Sequence, residues 1–141
     1  MKKEFLKDCI YDVVGAIYSV HSELGAGLNE SIYQEGLELE LKKRDLFYER
    51  EKAVHPFYCG QEMESTFRLD FLCFMQVIVE CKAVSRLTNE HRAQLYNYMR
   101  ITKMRAGVLV NFAPAYMEVE RYLHDPETNE ITTFKGETIE L

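Results

Sequence analysis

Hydrophobic and polar positions recur with two different periods along the chain, and the period separates helices from strands. Between residues 5 and 24, apolar side chains return every three or four positions, the spacing of one buried helix face, and Gly25 is placed to end that helix. Asn29 is a suitable N-cap for a second helix that reaches about residue 44, and Thr88 for a third that reaches about residue 103. The apolar positions of these two helices are Ile32, Tyr33, Leu37 and Leu41, and then Ala93, Leu95, Tyr96, Tyr98, Met99 and Ile101.

Extended segments account for most of the remaining chain. Their length and composition predict strands at residues 47–51, 54–58, 67–74, 77–84, 106–112 and 117–123. Pro56 indicates an edge or a bulge, and residues 59–62 are typical of a turn. Residues 75–76 are short enough to join their neighbouring strands into an antiparallel hairpin. Because the third helix lies between the strands at 77–84 and 106–112, those two strands are predicted to pair in parallel.

The order and size of these elements predict one domain over residues 1–141. Its expected class is α/β (α+β), with a mixed central β-sheet flanked by α-helices, a core over about residues 5–123, and a C-terminal hairpin or tail at 124–141. The chain is 47% hydrophobic, which is enough for a substantial core. It has neither an apolar run of the roughly 18 to 20 residues needed to span a membrane nor a signal-peptide pattern, so a cytoplasmic location is expected.

Two charged residues interrupt the most apolar strand. Residues 77–84 read Val-Ile-Val-Glu-Cys-Lys-Ala-Val, and a charge buried in such a strand is costly unless it is paired or binds a metal. Glu80 and Lys82 are two residues apart and therefore project from the same face. Asp70 lies in the preceding strand of the predicted hairpin. Two carboxylates and one amine are thus expected to lie close together.

Two such carboxylates are a typical site for Mg²⁺ or Mn²⁺, because these cations prefer oxygen ligands and keep several waters. A lysine beside them could orient or activate a water, or stabilise the charge that develops on a phosphate. The competing structural interpretation is a buried salt-bridge cluster of Asp70, Glu80 and Lys82 without a catalytic role.

The distribution of charge and of cysteine narrows the classes of ligand. A net charge of -6 argues against indiscriminate coating of nucleic acid. Against the single acid Glu90, residues 81–105 contain the bases Lys82, Arg86, Arg92, Arg100, Lys103 and Arg105. A polyanion contacted at one face and a solvated helix face explain this region equally well. The four cysteines are expected to be small buried apolar residues, and His55 and Cys59 lack a second pair of ligands for a zinc site.

Several short stretches together resemble a known family. They are Gly27-Leu28-Asn29-Glu30-Ser31-Ile32-Tyr33, Phe67-Arg68-Leu69-Asp70, Glu80-Cys81-Lys82-Ala83, Ala93-Gln94-Leu95 and Asn111-Phe112. Over about residues 6–123 the chain resembles the GxxExxY protein family, a bacterial and archaeal branch of the PD-(D/E)XK nuclease superfamily. That superfamily has a restriction-endonuclease-like core in the order helix, three strands, helix, strand. Leu69 departs from the proline of the superfamily's name, at a position that donates nothing to a metal.

The resemblance implies a nuclease that depends on Mg²⁺ or Mn²⁺, and it assigns roles to individual residues. The implied metal ligands are Asp70, Glu80, Glu30 and the backbone carbonyl of Cys81. Lys82 would be the catalytic lysine. Gln94, on the helix that follows, would be a polar catalytic residue that faces the site.

Functions of three classes are compatible with this pattern. The first is hydrolysis of phosphodiester bonds in DNA, in preference to RNA, with a homodimer favoured where both strands are cut. The second is a catalytically silent nucleic-acid-binding or assembly module in a defence or repair complex. The third is a protein-interaction domain with an aromatic interface. The candidates for contacts with nucleic acid are Arg68, Arg86, Arg92 and Arg100.

Overall fold

The computed structural model describes residues 3–140 and contains, within that range, three helices and eight strands. The helices are α1 (Lys3–Leu24), α2 (Glu30–Lys43) and α3 (Asn89–Thr102). The strands are β1 (Tyr48–Val54), β2 (Phe57–Tyr58), β3 (Gln61–Glu62), β4 (Phe67–Cys73), β5 (Val77–Lys82), β6 (Ala106–Asn111), β7 (Glu118–His124) and β8 (Ile131–Thr133). All three helices lie close to their predicted bounds.

Local chemistry explains where the helices begin and end. Gly25 adopts a φ of +79°, and its N–H donates to the carbonyl of His21, which ends α1. At α3 the Thr88 hydroxyl accepts from the His91 N–H while the His91 ring accepts from the Thr88 N–H, a reciprocal capping arrangement. Asn29 occupies the N-cap of α2, but its side chain makes no capping hydrogen bond. The second helix therefore begins without the side-chain cap that the sequence indicates.

Six strands form one mixed sheet in the order β1-β4-β5-β6-β7-β8. Pairing is antiparallel except between β5 and β6, which are parallel and joined through α3. Strands β2 and β3 form a separate two-stranded hairpin. The predicted α+β class and the mixed sheet flanked by helices are confirmed, with the order helix, three strands, helix, strand in α2, β1, β4, β5, α3 and β6.

The helices cover both faces of the sheet and bury its central strands. Helices α1 and α2 pack on one face, and α3 packs on the other. Every residue of β6 is buried. Gly107 in this strand permits close packing of α3, since a Cβ atom there would lie 2.8 Å from the Met99 sulfur. Strand β5 is buried on both faces as well, which makes the charges that it carries unusual.

Three of the apolar positions named for the second and third helices lie on the surface. Ile32 is 42% exposed, Ile101 is 43% exposed, and Ala93 is also exposed. The buried faces of α2 and α3 therefore contain fewer residues than the apolar positions of the sequence. Single exposed apolar side chains are common on protein surfaces.

The segment between α2 and β4 was predicted to contain two strands, at residues 47–51 and 54–58. It contains one longer strand, β1, and the short strands β2 and β3. Strand β1 continues to Val54 through Glu51, which has a φ of +52°. Residues 61–62, predicted as part of a turn, form β3, so the turn consists of Cys59 and Gly60. At the other end of the chain, the predicted hairpin or tail contributes β8 to the main sheet, and Ile131 is buried there.

The cysteines are buried as predicted, with one exception. Cys9, Cys73 and Cys81 lie in the interior, whereas Cys59 is exposed at the turn of the β2–β3 hairpin. His55 lies before that hairpin, and its Nδ1 is 3.0 Å from the Met63 carbonyl oxygen.

Across residues 3–140, none of the helices combines the length and the apolar character that crossing a membrane requires.

Candidate active site

Strands β4 and β5 separate at two carboxylates. The last paired residues of their ladder are Phe71 and Val79, and beyond them side chains replace the main-chain acceptors. The Asp70 N–H donates to Glu80 Oε2 at 3.3 Å, and the Cys81 N–H donates to Asp70 Oδ2 at 2.8 Å. These bonds hold both carboxylates at the point where the strands part.

A change in the direction of side chains along β4 accompanies this separation. Residues two apart in a regular strand share a face, but Leu69 packs in the core beneath α3 whereas Phe71 packs beneath α1 and α2. On the adjacent β1, Glu51 has a φ of +52° and lies between the residues that pair with Leu69 and Phe71. The pleat of the sheet is therefore interrupted at Asp70.

Glu80 has the most perturbed environment of these acids. It is 3% exposed, and burial, followed by the negative charge of Asp70, raises its pKa to about 9. Its Oε1 is buried and has no hydrogen-bond partner. Such an atom is rare in folded proteins because it loses its solvation without compensation. The Glu80 side chain therefore ionises only at a higher pH than usual, and one of its two oxygens lacks a hydrogen bond.

Glu30 approaches the two acids from the first turn of α2. Burial, and then the charge of Asp70, raise the pKa of Glu30, while the nearby Lys82 lowers it. The Gln34 side chain donates to Glu30 Oε2 at 3.1 Å. Over the described range 3–140, no three His, Cys, Asp or Glu side chains form a complete ligand cluster for a metal. Glu30 therefore lies near Asp70 without completing a three-residue cluster.

Lys82, the last residue of β5, faces α3. Its Nζ donates to the Gln94 Oε1 at 3.3 Å, so the structure brings the predicted lysine and glutamine together. Among the ion pairs of residues 3–140, none joins Lys82 to Asp70 or Glu80. The competing interpretation of a closed salt-bridge cluster is therefore not what the structure shows.

Tyr98 belongs to the same region and was not predicted as a site residue. It lies four residues after Gln94 and thus on the same face of α3. Its ring stacks on Phe67, with centroids 4.6 Å apart and an interplanar angle of 18°. Burial, and then the charges of Glu80 and Asp70, raise the Tyr98 pKa. The spacing of four from Gln94 was the signal that could have identified it.

The three fixed positions of the stretch at residues 27–33 have separate structural roles. Gly27 has a φ of +81°, and its N–H donates to the Ala113 carbonyl at 3.0 Å. Glu30 lies near Asp70 and Lys82. The buried Tyr33 hydroxyl donates to the Gly25 carbonyl at 2.6 Å and accepts from the Leu28 N–H at 3.1 Å. Together these residues attach the loop before α2 to the rest of the site.

Replacing Tyr33 with phenylalanine is expected to destabilise the protein by about 1 to 3 kcal/mol. The variant keeps the ring, which stacks on Phe112 at 4.8 Å, but leaves the Gly25 carbonyl and the Leu28 N–H without their partner. Urea unfolding at equilibrium measures the change. Tyr11→Phe, on an exposed ring of α1, is the matched control, and an equal effect of the two substitutions would contradict the role of the Tyr33 hydroxyl.

The predicted nucleic-acid contacts have different surroundings. Arg92 is paired with an acid: its Nε and Nη2 each donate to the Glu120 carboxylate at 2.8 Å, because β7 places that acid beside α3. This bidentate pair occupies the Arg92 guanidinium and raises its pKa. Arg86 and Arg68 are exposed, although Arg68 lies 4.0 Å from Glu51. Arg100 is half-buried.

Comparison with known proteins bears on both fold and family. A model of the PD-(D/E)XK nuclease superfamily matches residues 7–122. The fold is similar to the crystal structure of SSO0001, with a TM-score of 0.53 and 21% sequence identity. That similarity covers 70% of this chain and 53% of the other, so this chain spans about half the length of SSO0001. No curated protein is significantly similar to the chain in sequence.

Proposed function

Since the chain belongs to the PD-(D/E)XK nuclease superfamily, we propose that it is a metal-dependent nuclease that hydrolyses phosphodiester bonds of DNA. The observation that carries this proposal is the buried Glu80 carboxylate, whose Oε1 lacks a partner and whose neighbour across the hairpin is a second acid, Asp70. Two carboxylates held together in a buried strand are costly for folding alone. The stretch at residues 27–33 supports membership of the GxxExxY branch as part of this proposal.

The available donors fit a hard divalent cation. Asp70 and Glu80 would hold it, with Glu30 and the Cys81 backbone carbonyl as further oxygen donors, and Mg²⁺ commonly binds through one or two carboxylates and waters. The buried Glu80 Oε1 has no hydrogen-bond partner in the protein, so this oxygen is available to coordinate a cation. When bound, Mg²⁺ or Mn²⁺ lowers the pKa of water and offsets the negative charge of the phosphate.

Lys82 supplies the cationic group of the protein itself. Its ammonium has three N–H donors, and the contact with Gln94 uses one of them. Because it forms no ion pair with Asp70 or Glu80, its charge can stabilise the phosphate oxygens as negative charge develops on them. The hydrogen bond to Gln94 fixes the direction of the Lys82 amine. Tyr98 lies on the same face of α3 as Gln94.

Cleavage is expected to require Mg²⁺ or Mn²⁺, to stop in EDTA, and to depend on pH. Because Glu80 has a pKa raised to about 9, a cation that binds its carboxylate must displace a proton. The Mg²⁺ concentration at half-maximal rate should therefore fall by about tenfold for each unit by which the pH approaches that pKa from below. The measurement is a Mg²⁺ titration at several pH values.

Plasmid, linear duplex, single-stranded DNA and RNA serve as substrates in parallel, so that the preference for DNA is tested in the same assay. Glu62→Gln, on the exposed strand β3, is the control that changes an acid away from the site. Cleavage that continues in EDTA, or a metal requirement that does not change with pH, would contradict the proposal.

A further inference from the structure

A groove beside the candidate active site opens among three loops, and we refer to it as the loop groove. It is lined by residues 27–29 before α2, residues 83–85 after β5 and residues 113–114 after β6, and its volume is about 390 Å³. Asn29 directly precedes Glu30, and Ala83 directly follows Lys82. The loop groove therefore adjoins Glu30 and Lys82 along the chain.

Buried side chains hold all three loops in place. The Asn111 side chain is fully buried, donates to the Val84 carbonyl and accepts from the Val84 N–H, both at 2.9 Å. Tyr33 holds the loop before α2. His21 Nε2 lies 3.0 Å from the Pro114 carbonyl oxygen. Walls that are fixed before a ligand arrives reduce the ordering cost of binding it.

The loop groove differs from four other cavities of the described residues in that no charged side chain lines it. Its lining contains no carboxylate, although the chain has a net charge of -6. Four other cavities each include at least one acid, among them Asp125, Glu127, Glu130, Glu23, Glu40 and Glu140. Arg86, next to Ser85 at the rim, is exposed and pairs with no acid of residues 3–140. A phosphodiester in this groove would therefore meet no lining carboxylate, and Lys82 and Arg86 are the nearest cations in sequence.

An exposed aromatic side chain follows the third loop of the groove in the sequence. Tyr116, two residues beyond Pro114, is 92% exposed. Exposed aromatic rings of proteins that bind single strands stack on the bases, since every base presents a flat face. In a duplex both faces of a base are already stacked. Tyr116 is therefore suited to a base that has no pairing partner.

On the basis of the proposed nuclease function, we infer that the loop groove binds an unpaired nucleotide next to the phosphodiester that is cleaved, with Arg86 at its phosphate and Tyr116 stacked on its base. The substrate class is thus a single strand, or the single-stranded end of a duplex. The groove acts by positioning the strand beside Asp70, Glu80 and Lys82.

Binding of a short fluorescein-labelled single strand to the wild-type protein in EDTA, followed by anisotropy, tests this inference without cleavage. Ser85→Glu places a carboxylate in the groove and is expected to raise the Kd by at least about tenfold. Ser22→Glu adds the same charge to an exposed site on α1, in a different cavity, and should change the Kd by less than about twofold.

Removal of the ring gives a second, independent measurement. Tyr116→Leu is expected to raise the Kd for the single strand by about tenfold and to affect a duplex of the same sequence much less. Tyr11→Leu, on another exposed tyrosine, is the control. DNA and RNA strands of one sequence show whether the sugar matters.

Each outcome has a separate meaning. Equal changes of the Kd in Ser85→Glu and Ser22→Glu would overturn the inference that the loop groove binds a nucleotide. Equal changes of the Kd for single strand and duplex in Tyr116→Leu would do the same. Neither result would bear on metal-dependent cleavage. Absence of both binding and cleavage in the wild type would overturn the proposed function together with the groove.

Discussion

A Glu80→Gln protein is expected to be more stable than the wild type at about pH 7, in EDTA, and to have lost cleavage of nucleic acid by about 1,000-fold or more. Burial and the charge of Asp70 raise the pKa of Glu80 in the folded protein to about 9, from an ordinary value of 4.5. The stability linked to its proton is complete below about pH 4.5 and is lost as the pH rises through about 9. Glutamine has the same shape and cannot ionise.

The size of the stability effect follows from the difference in pKa. At about pH 7 the wild type has lost on the order of 3 kcal/mol relative to acidic solution through this group, and the glutamine variant has not. Thermal unfolding in EDTA between about pH 5 and pH 9 should give a flatter profile for Glu80→Gln than for the wild type. Glu62→Gln should keep the wild-type profile because Glu62 is exposed on β3. A Glu80→Gln protein that unfolds more easily at every pH would contradict this prediction.

Lys82→Met is expected to lower the cleavage rate by about 100- to 1,000-fold with little loss of stability. Methionine retains most of the aliphatic stem but removes the charge that would face the phosphate. Since the structure shows Lys82 bonded to Gln94 and to neither acid, removal of the amine leaves no buried carboxylate deprived of an ion-pair partner. Single-turnover cleavage and urea unfolding measure the two effects separately.

Stability is the result that separates this prediction from the salt-bridge interpretation. Breaking a buried ion pair by removing one partner typically costs about 3 to 5 kcal/mol. A loss of that size in Lys82→Met would show that the lysine has a structural role. Lys42→Met, on the exposed side of α2, is the matched control and should leave both rate and stability unchanged.

The sequence was most informative where it violated an expectation about burial. Charges buried in the apolar strand β5 require a partner, and the hairpin pattern predicted that Asp70 would lie close to Glu80, as the structure shows. The mixed sheet was predictable for a related reason: hairpin and crossover rules fix the order β4, β5, β6.

Contacts between residues distant in sequence could not be predicted in the same way. Arg92 is predicted to contact nucleic acid, and its local sequence does not indicate that its guanidinium pairs with Glu120 of β7, 28 residues away. The spacing of Tyr33 along α2 predicts only that its ring is buried. It does not predict the hydrogen bonds of its hydroxyl with the Gly25 carbonyl and the Leu28 N–H. The pleat interruption at Asp70 likewise depends on Glu51 of the neighbouring strand.

The decisive measurement is the single-turnover rate of nucleic-acid cleavage in Mg²⁺ by wild type, Glu80→Gln and Lys82→Met, purified identically. A nuclease built on Asp70, Glu80 and Lys82 predicts cleavage by the wild type that stops in EDTA, and rates at least about 100-fold lower in both variants. Equal rates in all three proteins would contradict it, because the activity would then arise elsewhere than at these residues.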